Sequence, residues 1–406
     1  MGQFIINGGR RLNGEICVSG SKNAALPLIF ASISVPGTST FTNVPDISDV
    51  DIAFDILREM GAVVRLDDST AVIDTQNITC CLPSEEYVSK IRASSYLIGA
   101  CLARFGRAEI QRFGGCNFDS RPIDMHISAA LALGARIEGN ELVAERLSGA
   151  DIRFEKISVG ATVNAIIMTA SAQGRSRIYG YAREPHVISL IDYLRTAGAE
   201  IHLCDEYIEV FGASLSGANA KIIPDMIEAG SYLALSLMTE SDLRVCGADF
   251  GQLESFLEPL IDSGAVAEYD DASVTVCGTI TEPMNIVTAP YPEFPTDLQP
   301  QTAPLLARFF GGRIREGVWH NRFGYLSELS KFGIVYKSFD GYSDVFSSKI
   351  RCAHATAPDL RGGMALVITA LSCKGESVIS GAELIKRGYA DIIRKLRRVG
   401  ADIEER

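Results

Sequence analysis

A pattern that recurs six times constrains the fold of this chain more than any other feature. Each copy contains an amphipathic helical segment that ends in glycine, usually followed by alanine, and then a β-rich stretch. A glycine after the last helical turn is typical of a left-handed C-cap. The period is about 68 residues, too long for a solenoid unit, so each copy is predicted to be a subdomain of several elements. The six glycines are Gly61, Gly134, Gly198, Gly264, Gly333 and Gly400.

Each copy also contains a second helical segment, apolar on most of its surface, and a strand between the two helices. The second helices open at SKNAALP, KIRASSY, SVGATVN, MIEAGSY, PTDLQPQ and DLRGGMA, and GTSTFTNV and GRSRIYGY are examples of the strands. Polar turns such as LDDST and SFDGY predict a hairpin after the glycine. One repeat therefore reads β-α-β-α-β-β, which predicts an α/β fold with mixed strand pairing.

The two ends of the chain predict how the repeats are grouped. The last copy ends after one strand, GADIEER, whereas the chain begins with FIING, which aligns with IEVFG at 208–212. Residues 1–20 are therefore expected to complete the sixth repeat. Three repeats per domain give one domain at 21–222 and another formed by 1–20 with 223–406. We expect a hinge at the two crossings and an active site in the cleft between the domains.

Charge and composition limit the classes of partner. The 406 residues have a net charge of -12, so nucleic acid is not an expected partner, and an anionic ligand needs a local basic cluster. No apolar run reaches transmembrane length and the start lacks an apolar signal core, which predicts a cytoplasmic protein without membrane insertion. Ten scattered cysteines predict reduced thiols. Metal-ligand spacings and nucleotide fingerprints are missing, so neither a metal nor a cofactor is expected.

Several basic residues occupy equivalent places in the repeats, at the openings of the buried helices. Lys22 and Asn23 lie at the first opening, Arg92 begins the equivalent helix of the second repeat, and Arg361 begins that of the sixth. Helix N-termini offer free N–H groups and a positive dipole end, so these openings could bind an anion. The alternative is that each charge is solvated or is the partner of a carboxylate.

The segment QRFGGCNFDSRPIDMH is a candidate mobile loop with a reactive thiol. Cys116 follows two glycines and lies five residues before Arg121. A nearby guanidinium favours a thiolate, so Cys116 is a candidate proton donor or nucleophile. The alternative, for any one of ten cysteines, is packing in a core.

Asp297, in EFPTDLQPQ, lies at the mouth of the fifth repeat's buried helix, after a proline-rich bend. Aspartate is common there as an N-terminal cap, because its carboxylate accepts hydrogen bonds from free helix N–H groups. A rigidly held carboxylate can also act as a general base. The sequence leaves both roles open.

A set of strings spread over nearly the whole chain is specific enough to indicate a family. They are LNGEICVSGSKNAALP, RASSYLIGACLARFG, GGCNFDSRPIDMHI, KISVGATVN, AREPHV, FPTDLQPQ, NRF, DLRGG and RGYADI. With them the chain resembles the UDP-N-acetylglucosamine enolpyruvyl transferases, or 1-carboxyvinyltransferases. SKNAALP, the GGC loop and FPTDxQ separate this family from the shikimate-phosphate enolpyruvyl transferases. The resemblance implies the two-domain inside-out α/β barrel of that superfamily, in agreement with six repeats.

The resemblance also implies an activity and a set of site residues. Enolpyruvate would pass from phosphoenolpyruvate to the 3′-hydroxyl of UDP-N-acetylglucosamine through a tetrahedral intermediate, with loss of phosphate, as the first committed step of peptidoglycan precursor synthesis. No obligate protein partner is inferred. The implied catalytic residues are Lys22, Arg387, Asp297 as the base and Cys116 as the proton donor. The implied substrate contacts are Lys22, Asn23, Arg92, Arg121, Pro122, Ile123, Asp124, Met125, Lys156, Ile157, Ser158, Val159, Asp297, Val318, Arg361 and Arg387.

Three positions depart from the family's usual pattern. Met226 stands where arginine is customary, His320 where glutamate is customary, and Lys386 where aspartate is customary. These changes leave open a second enzyme function, enolpyruvyl transfer to another sugar-nucleotide acceptor. A catalytically silent binder of UDP-sugars is a third alternative, which conflicts with the presence of all four implied catalytic residues.

Overall fold

The structure, a computed structural model, describes residues 2–79, 83–110, 113 and 122–406. These residues form two compact units. The middle unit is Gly20–Ile223, and the terminal unit combines the described residues up to Ser19 with Pro224–Arg406. The chain therefore passes between the units twice, after Ser19 and after Ile223. The boundaries expected from the sequence, 21 and 222, each lie one residue inside the middle unit.

Helices and short strands alternate through the middle unit. The chain first forms β1 (Gln3–Gly8) and β2 (Glu15–Cys17), which belong to the terminal unit. Short 3₁₀ helices follow at Ser32–Ser34 and Arg92–Tyr96. The elements of the middle unit are α1 (Lys22–Ala31), β3 (Thr38–Thr42), α2 (Ser48–Glu59), β4 (Val63–Asp67), β5 (Thr70–Asp74), α3 (Glu85–Val88), α4 (Leu97–Phe105), β6 (Arg107–Glu109), α5 (Asp124–Ala132), β7 (Arg136–Glu138), β8 (Glu141–Val143), β9 (Asp151–Arg153), α6 (Val159–Ser171), β10 (Arg175–Tyr179), α7 (Pro185–Thr196), β11 (Glu200–Leu203), β12 (Tyr207–Phe211) and β13 (Asn219–Lys221).

The described strands of the middle unit form three sheets. Their strand orders are β13-β3-β5-β4, β6-β8-β7 and β11-β12-β10-β9. Strands joined by the predicted polar turns pair antiparallel, as β4 does with β5, whereas β13 lies parallel to β3 and β9 parallel to β10. The pairing is therefore mixed, as the sequence predicts.

The terminal unit has the same alternation of helices and strands. A 3₁₀ helix lies at Ser330–Phe332. The elements after Pro224 are α8 (Met226–Met238), β14 (Arg244–Cys246), α9 (Phe250–Asp262), β15 (Ala265–Asp270), β16 (Ser273–Gly278), β17 (Ile286–Thr288), α10 (Gln299–Arg308), β18 (Gly312–Glu316), α11 (Tyr325–Leu329), β19 (Val335–Phe339), β20 (Tyr342–Phe346), β21 (His354–Thr356), α12 (Leu360–Ser372), β22 (Gly375–Ser380), α13 (Ala382–Lys386), α14 (Ile392–Arg398) and β23 (Asp402–Glu405).

The first two strands of the chain join different sheets of the terminal unit. The strand orders are β15-β16-β14-β2, β17-β18-β20-β19 and β21-β22-β1-β23. β1 pairs antiparallel with β22 and β23, which confirms the pairing predicted for FIING. The expectation that all of residues 1–20 complete the sixth repeat is wrong. β2 lies parallel to β14 in the fourth repeat's sheet, where Ile16, 1% exposed, is opposite Val245 and joins the core.

The glycines that define the repeat all adopt the left-handed conformation. Their φ angles lie between 89° and 114°. This conformation is costly for a residue with a β-carbon, which explains why glycine stands at each helix end. The predicted C-caps are confirmed.

The second helix of each repeat is largely buried. In the middle unit these helices are α1, α4 and α6, and in the terminal unit they are α8, α10 and α12. α8, α10 and α12 contact one another, so polar residues at their N-terminal ends can lie close together. Among the described helices, none has the length and apolar character that crossing a membrane requires.

Candidate active site

The carboxylate of Asp297 lies between two buried arginines of the terminal unit. Oδ1 accepts a hydrogen bond from Nη1 of Arg322 at 2.7 Å, and Oδ2 accepts one from Nε of Arg361 at 3.2 Å. Both guanidinium groups are almost fully buried, with 4% and 3% of the side chain exposed, whereas 30% of the Asp297 side chain is exposed. The arginines therefore fix the orientation of a carboxylate that solvent can still reach.

The structure rules out the capping interpretation of Asp297. The N-cap position of α10 is Leu298, and no side chain caps this helix. Asp297 lies one residue earlier, in a turn, where its oxygens accept from the two arginines. The capping alternative therefore does not describe the structure, because both carboxylate oxygens accept hydrogen bonds from guanidinium groups that are distant in the sequence.

Glu316 fixes the two segments on either side of this ion pair. Its Oε1 accepts hydrogen bonds from Thr288 Oγ1 at 2.6 Å and from the backbone N–H groups of Val318 and Trp319, both at 3.0 Å. Its Oε2 accepts from Thr296 Oγ1 at 3.0 Å. One buried carboxylate therefore positions the residue before Asp297 and the backbone of Val318, a predicted sugar-nucleotide contact.

Arg361 is placed by the start of α12. Asp359 is the N-cap of this helix, and its Oδ1 accepts from the backbone N–H groups of Arg361 and Gly362, both at 2.9 Å. The guanidinium group lies 5.5 Å from the ring centroid of Tyr389 and contacts Asp297. Arg361 therefore has a carboxylate partner, as the alternative interpretation expects. That partner, Asp297, is itself a predicted site residue.

Buried hydrogen bonds hold the segment that carries Arg387. Arg387 is half-buried at the end of α13, two residues before the fully buried Tyr389. The Tyr389 hydroxyl is 2.8 Å from Ser231 Oγ and accepts from Gln301 Nε2 at 3.0 Å. Helices α8 and α10 thus anchor the chain next to Arg387.

In the middle unit Lys22 is the first residue of α1, as predicted. Its Nζ lies 2.5 Å from Oδ2 of Asp49, a buried residue in the first turn of α2. Lys22 therefore has a carboxylate partner, which was the alternative interpretation of this residue. The neighbouring Asn23 is partly exposed.

Three predicted substrate-contact segments of the middle unit meet around a buried histidine. Nδ1 of His126 on α5 accepts a hydrogen bond from Nδ2 of Asn164 on α6 at 2.7 Å, and that amide also donates to the Ser95 carbonyl at 3.1 Å. Burial and the positive charge of Arg92 lower the pKa of His126 to about 4, while Asp124 raises it. His126 is therefore neutral at pH 7, and its proton is on Nε2.

The predicted contacts beside this histidine lie at helix starts. Pro122 and Ile123 precede α5, which begins with Asp124 and Met125. Lys156 and Ile157 are exposed, Ser158 caps α6 by accepting from the Ala161 N–H group at 3.4 Å, and Val159 begins that helix. The N-terminal ends of α5 and α6 and the 3₁₀ helix that begins with Arg92 thus form a polar corner of the unit.

Two predicted site residues lie outside the described part of the chain. These are Cys116, the implied proton donor, and Arg121, an implied phosphoenolpyruvate contact. Their roles remain predictions from the sequence.

The three residues that depart from the family pattern lie in different environments. Nζ of Lys386 contacts both carboxylate oxygens of Glu405 at 3.1 Å, so its charge is directed to β23. Met226 is half-buried and packs against the hydrophobic core. His320 is exposed, and its Nδ1 lies 3.0 Å from the position that a β-carbon on Gly341 would take.

The sequence-based prediction of the site missed four residues that position it. Arg322 and Glu316 act on Asp297 and its neighbours, and His126 and Asn164 join the middle-unit segments. Arg322 and His126 lie inside NRF and RPIDMHI, two of the strings that carry the resemblance. Their place in these motifs is a sequence signal that could identify them. Glu316 carries no comparable signal, because it is an ordinary strand residue until its partners are known.

Comparisons with known proteins agree with this architecture. The family model described as EPSP synthase (3-phosphoshikimate 1-carboxyvinyltransferase) matches residues 6–396. The solved structure of the enolpyruvyl transferase NikO from Streptomyces tendae has a TM-score of 0.86 and 25% identity, covering 100% of this chain and 98% of that chain. EPSP synthase from Acinetobacter baumannii has a TM-score of 0.76 at 16% identity, which shows the fold alone. The α/β fold with mixed sheets is thus that of the enolpyruvyl transferases, a class of enzymes.

Relatives with full-length similarity define the family within this class. The UDP-N-acetylglucosamine 1-carboxyvinyltransferase of Halothermothrix orenii is 37% identical over 414 residues and covers 100% of both chains. The protein of Streptococcus mutans named UDP-N-acetylglucosamine 1-carboxyvinyltransferase 2 is 39% identical, covering 100% of this chain and 99% of its own. The chain belongs to the UDP-N-acetylglucosamine 1-carboxyvinyltransferase family.

Proposed function

We infer that this enzyme transfers the enolpyruvyl group of phosphoenolpyruvate to the 3′-hydroxyl of UDP-N-acetylglucosamine and releases phosphate. The observation that carries this inference is identity of 37% to 39% along the whole chain with proteins named for that activity. The paired arginines that orient Asp297 support it, because they hold a carboxylate where the family places its base.

The chemistry assigns each reacting group a role. The hydroxyl oxygen adds to the central carbon of phosphoenolpyruvate as its proton passes to Asp297, and the methylene carbon takes a proton from Cys116. Loss of a methyl proton and of phosphate from the tetrahedral adduct restores the double bond. Lys22, Arg121 and Arg387 hold the oxyanions of phosphoenolpyruvate, and forked guanidinium groups suit that task.

The finer architecture and cellular role are part of the same proposal. We assign the fold to an inside-out α/β barrel of six repeats, with domains at 21–222 and at 1–20 plus 223–406. The three sheets that the described strands form in each unit support this assignment. We place the reaction in the cytoplasm, at the first committed step of peptidoglycan precursor synthesis. Cell division requires this synthesis.

One incubation tests the function directly. The protein is mixed with phosphoenolpyruvate and UDP-N-acetylglucosamine, and both phosphate release and the mass of the sugar nucleotide are followed. A product heavier by one enolpyruvyl group, formed in step with phosphate, is expected. Phosphate release that requires a different acceptor would replace this function with the second candidate.

That second candidate is enolpyruvyl transfer to another sugar-nucleotide acceptor, suggested by Met226, His320 and Lys386. The structural likeness to NikO shows that the fold also serves an enolpyruvyl transferase only 25% identical to this chain. The ion pair of Lys386 with Glu405 and the core contact of Met226 give both residues structural roles, which favours the first candidate.

Lys22→Ala is expected to raise the KM for phosphoenolpyruvate about 10- to 100-fold, because a charge-assisted hydrogen bond is worth about 1.5–3 kcal/mol. Steady-state kinetics measure this effect. Asp49→Asn is the matched control, since it removes the carboxylate partner and keeps the lysine. An unchanged KM in Lys22→Ala, with only a loss of thermal stability, would leave Lys22 as a structural ion-pair partner.

Cys116 is expected to be the thiol that fosfomycin alkylates, because this epoxide phosphonate resembles phosphoenolpyruvate in charge and can occupy its site. Peptide mass mapping after brief treatment locates the label. Cys116→Asp should block alkylation and keep turnover, since a carboxylic acid still donates a proton, whereas Cys116→Ala should lose turnover. Label distributed over several cysteines would contradict the assignment.

A further inference from the structure

A cavity of about 560 Å³ lies at the far ends of two helices that begin near Asp297. α10 starts two residues after Asp297 and ends at Arg308, and α12 runs from Leu360 to Ser372. A helix of 13 residues is about 20 Å long, so this cavity is distinct from the Asp297 site. The lining residues that matter here are Glu240, Arg308, Arg351, Cys352, Cys373 and Lys374.

Two neighbouring thiols face this cavity. Cys352 is partly exposed and donates a hydrogen bond from Sγ to the Lys374 carbonyl at 3.2 Å. Cys373 is buried, 4% exposed, and donates from Sγ to the Thr369 carbonyl at 3.1 Å. Cys352 Sγ thus contacts the residue that follows Cys373, and both cysteines line the same cavity. Cys352 is therefore the more accessible of the two thiols, and Cys373 is the more buried.

Cationic side chains dominate the wall around the thiols. Arg308, Arg351 and Lys374 face one acidic residue, Glu240, which forms an ion pair with Arg308 at 2.5 Å. The negative ends of the helix dipoles at Arg308 and Ser372 offset part of this charge. Arg351 and Lys374 still leave the wall positive, in a protein whose net charge is -12.

We propose that this cavity is a thiol-modification site for anionic, low-molecular-weight disulfides of the size and charge of glutathione disulfide. The Cys352 thiolate attacks one sulfur of the disulfide, a mixed disulfide forms, and one small thiolate leaves and takes up a proton. Cys373 then attacks Sγ of Cys352 and expels the second small thiol. The protein loses two hydrogen atoms as the small disulfide is reduced to two thiols. The proposal for this site does not depend on the proposed enolpyruvyl transfer.

The surroundings of Cys373 make the second step dependent on pH. Burial and the neighbouring Cys352 raise the pKa of Cys373 to about 12, while Ser372 and Arg308 lower it. Little Cys373 thiolate is present at pH 7, so the second step proceeds through a small fraction of this thiol. Raising the pH increases the thiolate fraction, and the intramolecular disulfide should therefore form faster in alkaline buffer.

The chain supplies its own reference dithiol for the test. Cys17 on β2 is exposed and lies in register with Cys246 on β14, on a sheet surface rather than among the cavity's cations. The protein is incubated with glutathione disulfide or with neutral hydroxyethyl disulfide, and peptide mapping gives the rate at each cysteine. With glutathione disulfide, Cys352 should react about fivefold or more faster than Cys17. With the neutral disulfide this ratio should be smaller.

Variants separate the effect of the positive charge from the roles of the two thiols. Replacing both Arg351 and Lys374 by Gln should lower the rate at Cys352 with glutathione disulfide and leave Cys17 unchanged. Cys373→Ser should stop the reaction at the mixed disulfide, and Cys352→Ser should protect both positions. An equal rate at Cys352 and Cys17 with glutathione disulfide, or the same ratio with both disulfides, would overturn the proposal.

Discussion

Asp297→Asn is expected to lower kcat about 10²- to 10⁴-fold and to weaken UDP-N-acetylglucosamine binding by a much smaller factor. The asparagine side chain can still accept a hydrogen bond from one arginine and can contact the acceptor hydroxyl. It cannot take the proton of that hydroxyl. Steady-state kinetics and equilibrium binding of the nucleotide sugar, measured on the same preparation, separate the two effects.

The structure provides a control for the loss of an aspartate–arginine pair as such. Asp344 contacts Arg313 through both oxygens, at 2.6 and 3.0 Å, on the exposed side of β20. Asp344→Asn weakens a more exposed aspartate–arginine pair outside the predicted site and should leave kcat unchanged. If Asp297→Asn kept turnover within twofold of the unmodified enzyme, Asp297 would no longer qualify as the base.

Lys395→Met is expected to lower the free energy of unfolding of the terminal unit by about 3–5 kcal/mol, because it leaves a buried carboxylate without its cation. Nζ of Lys395 lies 2.5 Å from Oε1 of Glu228 and 2.6 Å from Oγ of Ser19. Glu228 is 1% exposed, and its Oε2 accepts from the Ser19 N–H group at 2.7 Å. Urea unfolding, with hydrogen exchange of peptides from α8 to report on this unit, measures the loss.

The loss of unfolding free energy that Lys395→Met causes should become smaller as the pH falls. Burial raises the pKa of Glu228 although Lys395 opposes it, and removal of the lysine raises that pKa further. A raised pKa in the folded state means that the folded protein binds the proton more tightly, so stability is lost as the pH rises. Below the ordinary carboxyl pKa of about 4.3 both states are protonated, and the charge-burial cost is absent.

An exposed ion pair is the matched control for Lys395. Lys331 lies 2.7 Å from Glu328, and 46% of its side chain is exposed. Lys331→Met should change the free energy of unfolding by less than about 1 kcal/mol. Replacing Glu228 by Gln in the Lys395→Met background should recover part of the lost stability, since no charge is then buried. Equal effects at Lys395 and Lys331 would show that the buried pair contributes little.

Local signals explain why so much of the fold could be predicted from the sequence. Each C-cap glycine, polar turn and apolar helix is determined by residues within one or two turns of it, so a repeat of these signals identifies six copies. The order of strands in a sheet depends on residues far apart, which is why β2 was assigned to the wrong repeat although β1 was assigned correctly.

The site was less predictable for the same physical reason. The partners of Asp297 lie 25 and 64 residues away, in Arg322 and Arg361, and no local pattern joins them. Capping was a reasonable local interpretation that a tertiary contact overrode. Lys22 likewise has its carboxylate partner in the next helix, at Asp49.

The place of β1 in its sheet also affects how the protein is made. The described strands of the middle unit pair only with strands inside Gly20–Ile223, so their sheets can form as soon as that stretch has left the ribosome. β1 leaves first, yet its partners are Gly375–Ser380 and Asp402–Glu405. At about 5–20 residues per second, roughly 20–70 s pass between the synthesis of β1 and the synthesis of these partner strands. During that time Phe4 and Ile6, fully buried in the folded protein, belong to an unpaired apolar strand that a chaperone can bind.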